Sequence, residues 1–79
     1  MYSIYSPPGA TIRELLDNKG MTQRELAERL NISFDVSSRL LDGELAVTPY
    51  SQQLESILGP SVTFWNNLEA RWQMRKETF

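Results

Sequence analysis

The residues of this 79-residue chain that could do chemistry are hydroxyls, carboxylates and arginines, because it contains no cysteine and no histidine. Without thiols there is no disulfide framework and no thiolate metal site. Without imidazole, a zinc ion is left with carboxylates alone and the usual general base is missing. The serines and threonines have no His or Cys companion to activate them, and no glycine-rich phosphate loop is present. No enzyme activity, metal, cofactor or small-molecule substrate is expected. What remains is binding chemistry. Thr22-Gln23-Arg24-Glu25 has the form of a capping box, in which the threonine hydroxyl accepts from the amide three residues on and the glutamate reaches back. A helix start of this kind presents amides and a positive dipole end, which suits a phosphate. Arg13, Arg24, Arg29 and Arg39 are the cations available beside it.

Charge limits that chemistry. Eight Lys and Arg against ten Asp and Glu give a net charge of −2, which excludes a strongly basic nucleic-acid binder. The middle of the chain is the acidic part, where Arg39 stands against Asp35, Asp42, Glu44 and Glu55. A hydrophobic share of 41% with 23% charged residues is globular, and the length is enough for one small domain. No apolar run approaches the roughly 20 residues that span a bilayer, so no membrane partner is expected. Met1-Tyr2-Ser3-Ile4-Tyr5-Ser6 has neither the basic nor the long apolar stretch of a signal peptide, which makes the cytoplasm the default location.

The elements that must position these residues are helical. Pro7-Pro8-Gly9 ends an N-terminal arm (residues 1–8) and opens the first helix of a domain over residues 9–77. Ile12, Leu15 and Leu16 form one helical face, and Lys19-Gly20 stops it. After the capping box, Leu26, Ala27 and Leu30 make a buried stripe. Asn31 tolerates the left-handed region that a sharp turn needs, and Ile32 plugs that turn into the core. Ser33 caps a third segment running to about Leu41, which Asp42-Gly43 closes. Thr48 as N-cap with Pro49 behind it opens the fourth, whose core face is Leu54, Ile57 and Leu58, and Gly59-Pro60 ends it. Ser61 caps the fifth, with Trp65, Leu68 and Trp72 on one stripe. Only the first five residues come near a strand pattern.

Two short helices joined by about three residues form a helix-turn-helix, with Ala27 allowing close approach and Asn31 and Ile32 shaping the turn. The segment Met21-Thr22-Gln23-Arg24-Glu25-Leu26-Ala27-Glu28-Arg29-Leu30-Asn31-Ile32-Ser33 resembles the Xre/lambda-repressor-like family. Pro7-Pro8-Gly9, Arg39-Leu40-Leu41-Asp42-Gly43, Val47-Thr48-Pro49 and Phe64-Trp65-Asn66-Asn67-Leu68-Glu69-Ala70 narrow the resemblance to HigA-type antitoxins. They equally resemble the N-terminal part of regulators that continue into an ImmA/IrrE-type peptidase domain. The likeness covers about residues 7 to 75. It implies an all-α, five-helix lambda-repressor-like domain with the helix-turn-helix at helices 2 and 3. It also implies a homodimer on a palindromic double-stranded DNA operator, and for antitoxins a RelE-like toxin as partner.

Carried over residue by residue, the resemblance places Thr22 and Gln23 at DNA phosphate, with helix capping as the plainer role. Ser33, Phe34, Asp35, Ser38 and Arg39 take the groove-facing or phosphate-facing positions of the third helix. Arg39 is the strongest candidate, since a guanidinium binds guanine O6 and N7 bidentately, or a phosphate; otherwise it pairs with a nearby carboxylate. Phe34 and Asp35 depart from the usual polar or basic pattern. Phe34 suits a thymine methyl, a protein contact or the core, and Asp35 would face phosphates at a cost. Ser37 stands where the family has a buried aliphatic residue, so its hydroxyl needs a partner, and Glu44 replaces a residue that is often basic. Trp65, Leu68 and Trp72 either close the core or leave an apolar seam for the dimer. A protein-interaction module on the same fold, such as a phage or mobile-element antirepressor, is the alternative that the acidic centre favours. A third is an excised domain of a larger Xre regulator.

Overall fold

The computed structural model describes residues 7–78; the strand-like stretch over the first five residues and most of the arm expected over residues 1–8 lie outside them, while Pro8 already belongs to the first helix. Five α-helices follow one another: α1 (Pro8–Lys19), α2 (Gln23–Leu30), α3 (Phe34–Leu41), α4 (Ser51–Leu58) and α5 (Val62–Thr78). No strand occurs among the described residues. The fold is an all-α, five-helix bundle with a helix-turn-helix at α2 and α3, in agreement with the lambda-repressor-like architecture.

Local chemistry sets most of the boundaries. Gly20 ends α1 at φ 66°, and the amides of Gly20 and Met21 return to the carbonyls of Asp17 and Leu16. Asn31 does the same for α2 without being glycine. It sits at φ 59°, and the Asn31 and Ile32 amides return to Glu28 and Ala27. Ser33 Oγ accepts from the Val36 amide at 3.1 Å, and Ser61 Oγ from the Phe64 amide at 3.1 Å, which caps α3 and α5. The start of α4 differs from the expectation. Thr48 does not cap the α-helix. It begins a 3₁₀ turn over Thr48–Tyr50, and its carbonyl accepts from Ser51 Oγ at 2.9 Å. Val47, fully buried, sits at the head of that turn, so the chain needs one tight turn to leave the core before α4 starts.

α2 packs on α3 and α4 on α5, while α1 touches α3, α4 and α5. The core between them is built from Ile12, Leu16, Leu26, Leu30, Leu40, Leu41, Val47, Leu54, Leu58 and Trp65, with Leu15, Met21, Ile32, Ile57 and Leu68 around it. Gly9 lets α1 reach the end of α3 backbone to backbone, since a Cβ there would lie 1.8 Å from the Leu41 carbonyl oxygen. Glu69 is a buried carboxylate on α5. Its Oε1 accepts from the Val47 amide at 2.9 Å and its Oε2 from the side-chain amide of Gln73. That ties the loop after α3 to α5 and satisfies an amide that would otherwise be buried alone.

The stripe on α5 divides. Trp65 is 0% exposed and donates its indole N–H to the Pro60 carbonyl at 3.1 Å, so it belongs to the core and offers nothing to a dimer seam. Leu68 and Trp72 are half-buried. A Cβ on Gly43 would lie 2.7 Å from Pro7 Cβ and 3.4 Å from the Trp72 ring, so Trp72 closes over the loop that follows α3.

Candidate nucleic-acid interface

α3 is eight residues long, and its pattern splits it cleanly. Ser37, Leu40 and Leu41 are buried against the other helices, while Phe34, Asp35 and Arg39 are exposed and Ser38 lies at the edge. The positions taken from the family resemblance therefore share one outward face, with Ser33 capping its start. The hydroxyl of Ser33 uses a lone pair on the Val36 amide and keeps its own proton for an acceptor.

α2 meets α3 through polar contacts. Gln23 Nε2 donates to Ser37 Oγ at 2.9 Å and to Ser38 Oγ at 2.9 Å. Ser37 Oγ in turn donates to the Phe34 carbonyl at 2.6 Å. The buried hydroxyl that replaces an aliphatic residue is thus fully partnered. These bonds use both hydrogens of the Gln23 amide, so in this arrangement it has no side-chain donor left for a phosphate. Gln23 thereby links the start of α2 to α3. Thr22 is the cap: its Oγ1 accepts from the Glu25 amide at 3.1 Å, and its own amide and hydroxyl both donate to Glu25 Oε1 at 3.1 Å. These bonds, the backbone amide foremost, hold the Glu25 carboxyl below its ordinary value, with a smaller contribution from Arg29.

Two of the cations are matched by carboxylates. Arg39 Nε lies 3.4 Å from Asp35 Oδ2, one turn away, with side chains 58% and 76% exposed. Arg13 donates to Asp42 Oδ1 at 3.0 Å and so joins α1 to the end of α3. Such exposed pairs contribute about 0–1 kcal/mol, so a phosphate or base can displace them. Arg24 is different: its guanidinium carbon lies 5.6 Å from the centroid of the Phe34 ring. Sequence reasoning counted Arg24 with Arg39, Arg13 and Arg29 as cations for a phosphate track, and only the packing of α2 on α3 joins it to Phe34. Glu44 is exposed in the loop beyond α3 and adds negative charge there.

Among the described residues, no group of three or more carboxylates converges as a metal site would require. No helix among them is long and apolar enough to cross a membrane. The arrangement can cap, donate to oxygen acceptors and present one cation-bearing helix face.

Known proteins resemble this chain in sequence. The pattern of the winged helix-turn-helix DNA-binding family matches residues 10–34, which span most of α1, all of α2 and the first residue of α3. The chain is also similar to the uncharacterized HTH-type transcriptional regulator YddM of Escherichia coli (strain K12), with 37% identity over 68 residues, 85% of this chain and 72% of that protein. With that relative aligned over 85% of its length, the chain belongs to the family of helix-turn-helix transcriptional regulators.

Proposed function

We propose that this protein is a sequence-specific, double-stranded-DNA-binding transcriptional regulator and not an enzyme. The observation that carries the reading is the outward face of α3, where Ser33, Phe34, Asp35, Ser38 and Arg39 stand together while Ser37, Leu40 and Leu41 hold the helix to the bundle. An α-helix presented in this way fits the major groove, and Arg39 is the side chain best suited to a base edge. The acidic centre of the chain keeps monomer affinity low, so the functional unit is a homodimer on a palindromic operator, with two copies of α3 about 34 Å apart. The Pro-Pro-Gly start and the Phe64-Trp65-Asn66-Asn67-Leu68 segment support a HigA-type antitoxin that represses its own promoter and holds a RelE-like toxin.

The test is binding to a labelled duplex from the DNA upstream of its own gene, against a scrambled duplex, at two salt concentrations. Preferential binding that falls steeply with salt supports the regulator. Absence of binding by folded protein at low salt removes it. A second reading, a protein-interaction module, draws on Phe34, which is 49% exposed and flanked by Asp35. Capture of a partner protein that is lost on Phe34→Ala, without DNA binding, would select it.

A further inference from the structure

Arg24 is the second residue of α2 and Phe34 the first of α3, so the pair sits where two helices begin. A helix N-terminus carries positive partial charge and disfavours a cation. Arg24 is therefore placed against the field of its own helix, and the π-face of Phe34 at 5.6 Å is the compensation the fold supplies. Arg13 and Arg39, by contrast, already face Asp42 and Asp35. An anion reaching either must displace a carboxylate. Arg24 has no ion-pair partner among the described residues, so a phosphate can take its N–H donors without breaking an ion pair.

We propose that Arg24 is a DNA phosphate contact, and that Phe34 is its platform, a positioning residue that holds the guanidinium at the α2–α3 junction. This rests on the DNA-binding reading above and assigns Phe34 a role in affinity through Arg24, in place of reading a thymine methyl. A ring-held arginine loses less side-chain freedom on binding than a free one, which is why the platform matters. It also accounts for an aromatic residue at a position where a polar or basic one is usual. The cation is present, but it comes from α2.

The experiment measures the affinity of the wild type, Arg24→Gln, Phe34→Ala, Phe34→Tyr and the Arg24→Gln/Phe34→Ala double variant for the upstream duplex and a scrambled duplex across a salt series. Both side chains are exposed, and circular dichroism checks each variant's fold. Arg24→Gln is expected to weaken binding to both duplexes alike, by about tenfold, and to lower the slope of log affinity against log salt by about 1. Phe34→Ala is expected to lose about two- to fivefold on both duplexes, and Phe34→Tyr to keep wild-type affinity. In the Phe34→Ala background, Arg24→Gln should cost less than in the wild type. Unchanged affinity and slope in Arg24→Gln overturns the phosphate contact. A Phe34→Ala loss confined to the upstream duplex, with the Arg24→Gln penalty intact, overturns the platform and makes Phe34 a base contact. Failure of the wild type to bind either duplex overturns the DNA-binding reading itself, and this inference with it.

Discussion

Gln23 and Ser37 meet across the turn of the helix-turn-helix, with the Gln23 amide donating to the buried Ser37 hydroxyl at 2.9 Å. Fourteen residues apart in sequence, they join the first residue of α2 to the inward face of α3. The contact fixes how α3 is presented, because Gln23 also holds Ser38 on the next position. Ser37→Ala removes two hydrogen bonds, the one accepted from Gln23 and the one donated to the Phe34 carbonyl, and is expected to cost about 1–3 kcal/mol in urea unfolding. Gln23→Ala should cost a similar amount. The double variant should lose less than the sum, and strict additivity would show that the contact carries no stability.

Gly9 sets the approach of α1 to α3. Since a Cβ there falls 1.8 Å from the Leu41 carbonyl oxygen, Gly9→Ala cannot be absorbed by a side-chain rotation. The two backbones must separate. The expected loss exceeds the ~1–3 kcal/mol usual for overpacking, a large part of the stability of a small domain. The urea midpoint followed by far-UV circular dichroism reads it directly.

Glu69 separates charge from hydrogen bonding. Glu69→Ala leaves the Val47 amide buried without an acceptor, at a cost of about 1–3 kcal/mol. Glu69→Gln keeps an acceptor for that amide, and the side chain of Gln73 can rotate to offer its oxygen to the new NH₂ group. The glutamine variant should therefore unfold at a denaturant concentration close to that of the wild type. Equal damage from both changes would mean that the negative charge itself matters.

The capping box carries a pH signature. The Glu25 carboxyl is held below its ordinary value of 4.5 in the folded protein, chiefly by the Thr22 amide. A depressed folded value means that the unfolded chain binds the proton more readily. The stabilisation is therefore complete well above pH 4.5 and is lost as the pH falls through that value towards the lower folded one. Thermal midpoints measured from pH 7 down to pH 3 should fall less steeply for Glu25→Gln than for the wild type.

Arg39 and Asp35 test base reading. Arg39→Ala should cost about 1–3 kcal/mol on the operator and relax discrimination at one base pair. Equal loss on every duplex would assign Arg39 to phosphate. Asp35→Asn removes the carboxylate paired with Arg39 and should raise affinity about two- to fivefold on any duplex. A fall in affinity confined to the operator would show Asp35 accepting from a cytosine.

Legibility followed the range of the interactions. The caps at Thr22, Ser33 and Ser61 and the left-handed turn at Asn31 were readable because each is decided within about four residues of chain. The outward positions of α3 were legible through the family resemblance, while Leu40 and Leu41 marked its apolar side. Thr48 was misplaced because the choice between capping an α-helix and entering a 3₁₀ turn depends on Val47, whose position is set by burial and by Glu69. Periodicity placed Trp65 and Trp72 on the same side of α5. It could not separate them, because what each meets, the Pro60 carbonyl or the loop at Gly43, comes from elsewhere in the chain.

The sequence by itself determined five helices, most of their ends, the short turn between α2 and α3, and, through the family resemblance, the residues that α3 turns outward. Only the tertiary structure decided what the polar side chains at the start of α2 meet. Gln23 became an orienting donor when α3 brought Ser37 and Ser38 beneath it, and Arg24 found the ring of Phe34 instead of a carboxylate. The reason is physical. Caps and turns are local hydrogen bonds, whereas the partner of a side chain depends on which helices the buried leucines, Ile12 and Trp65 draw together.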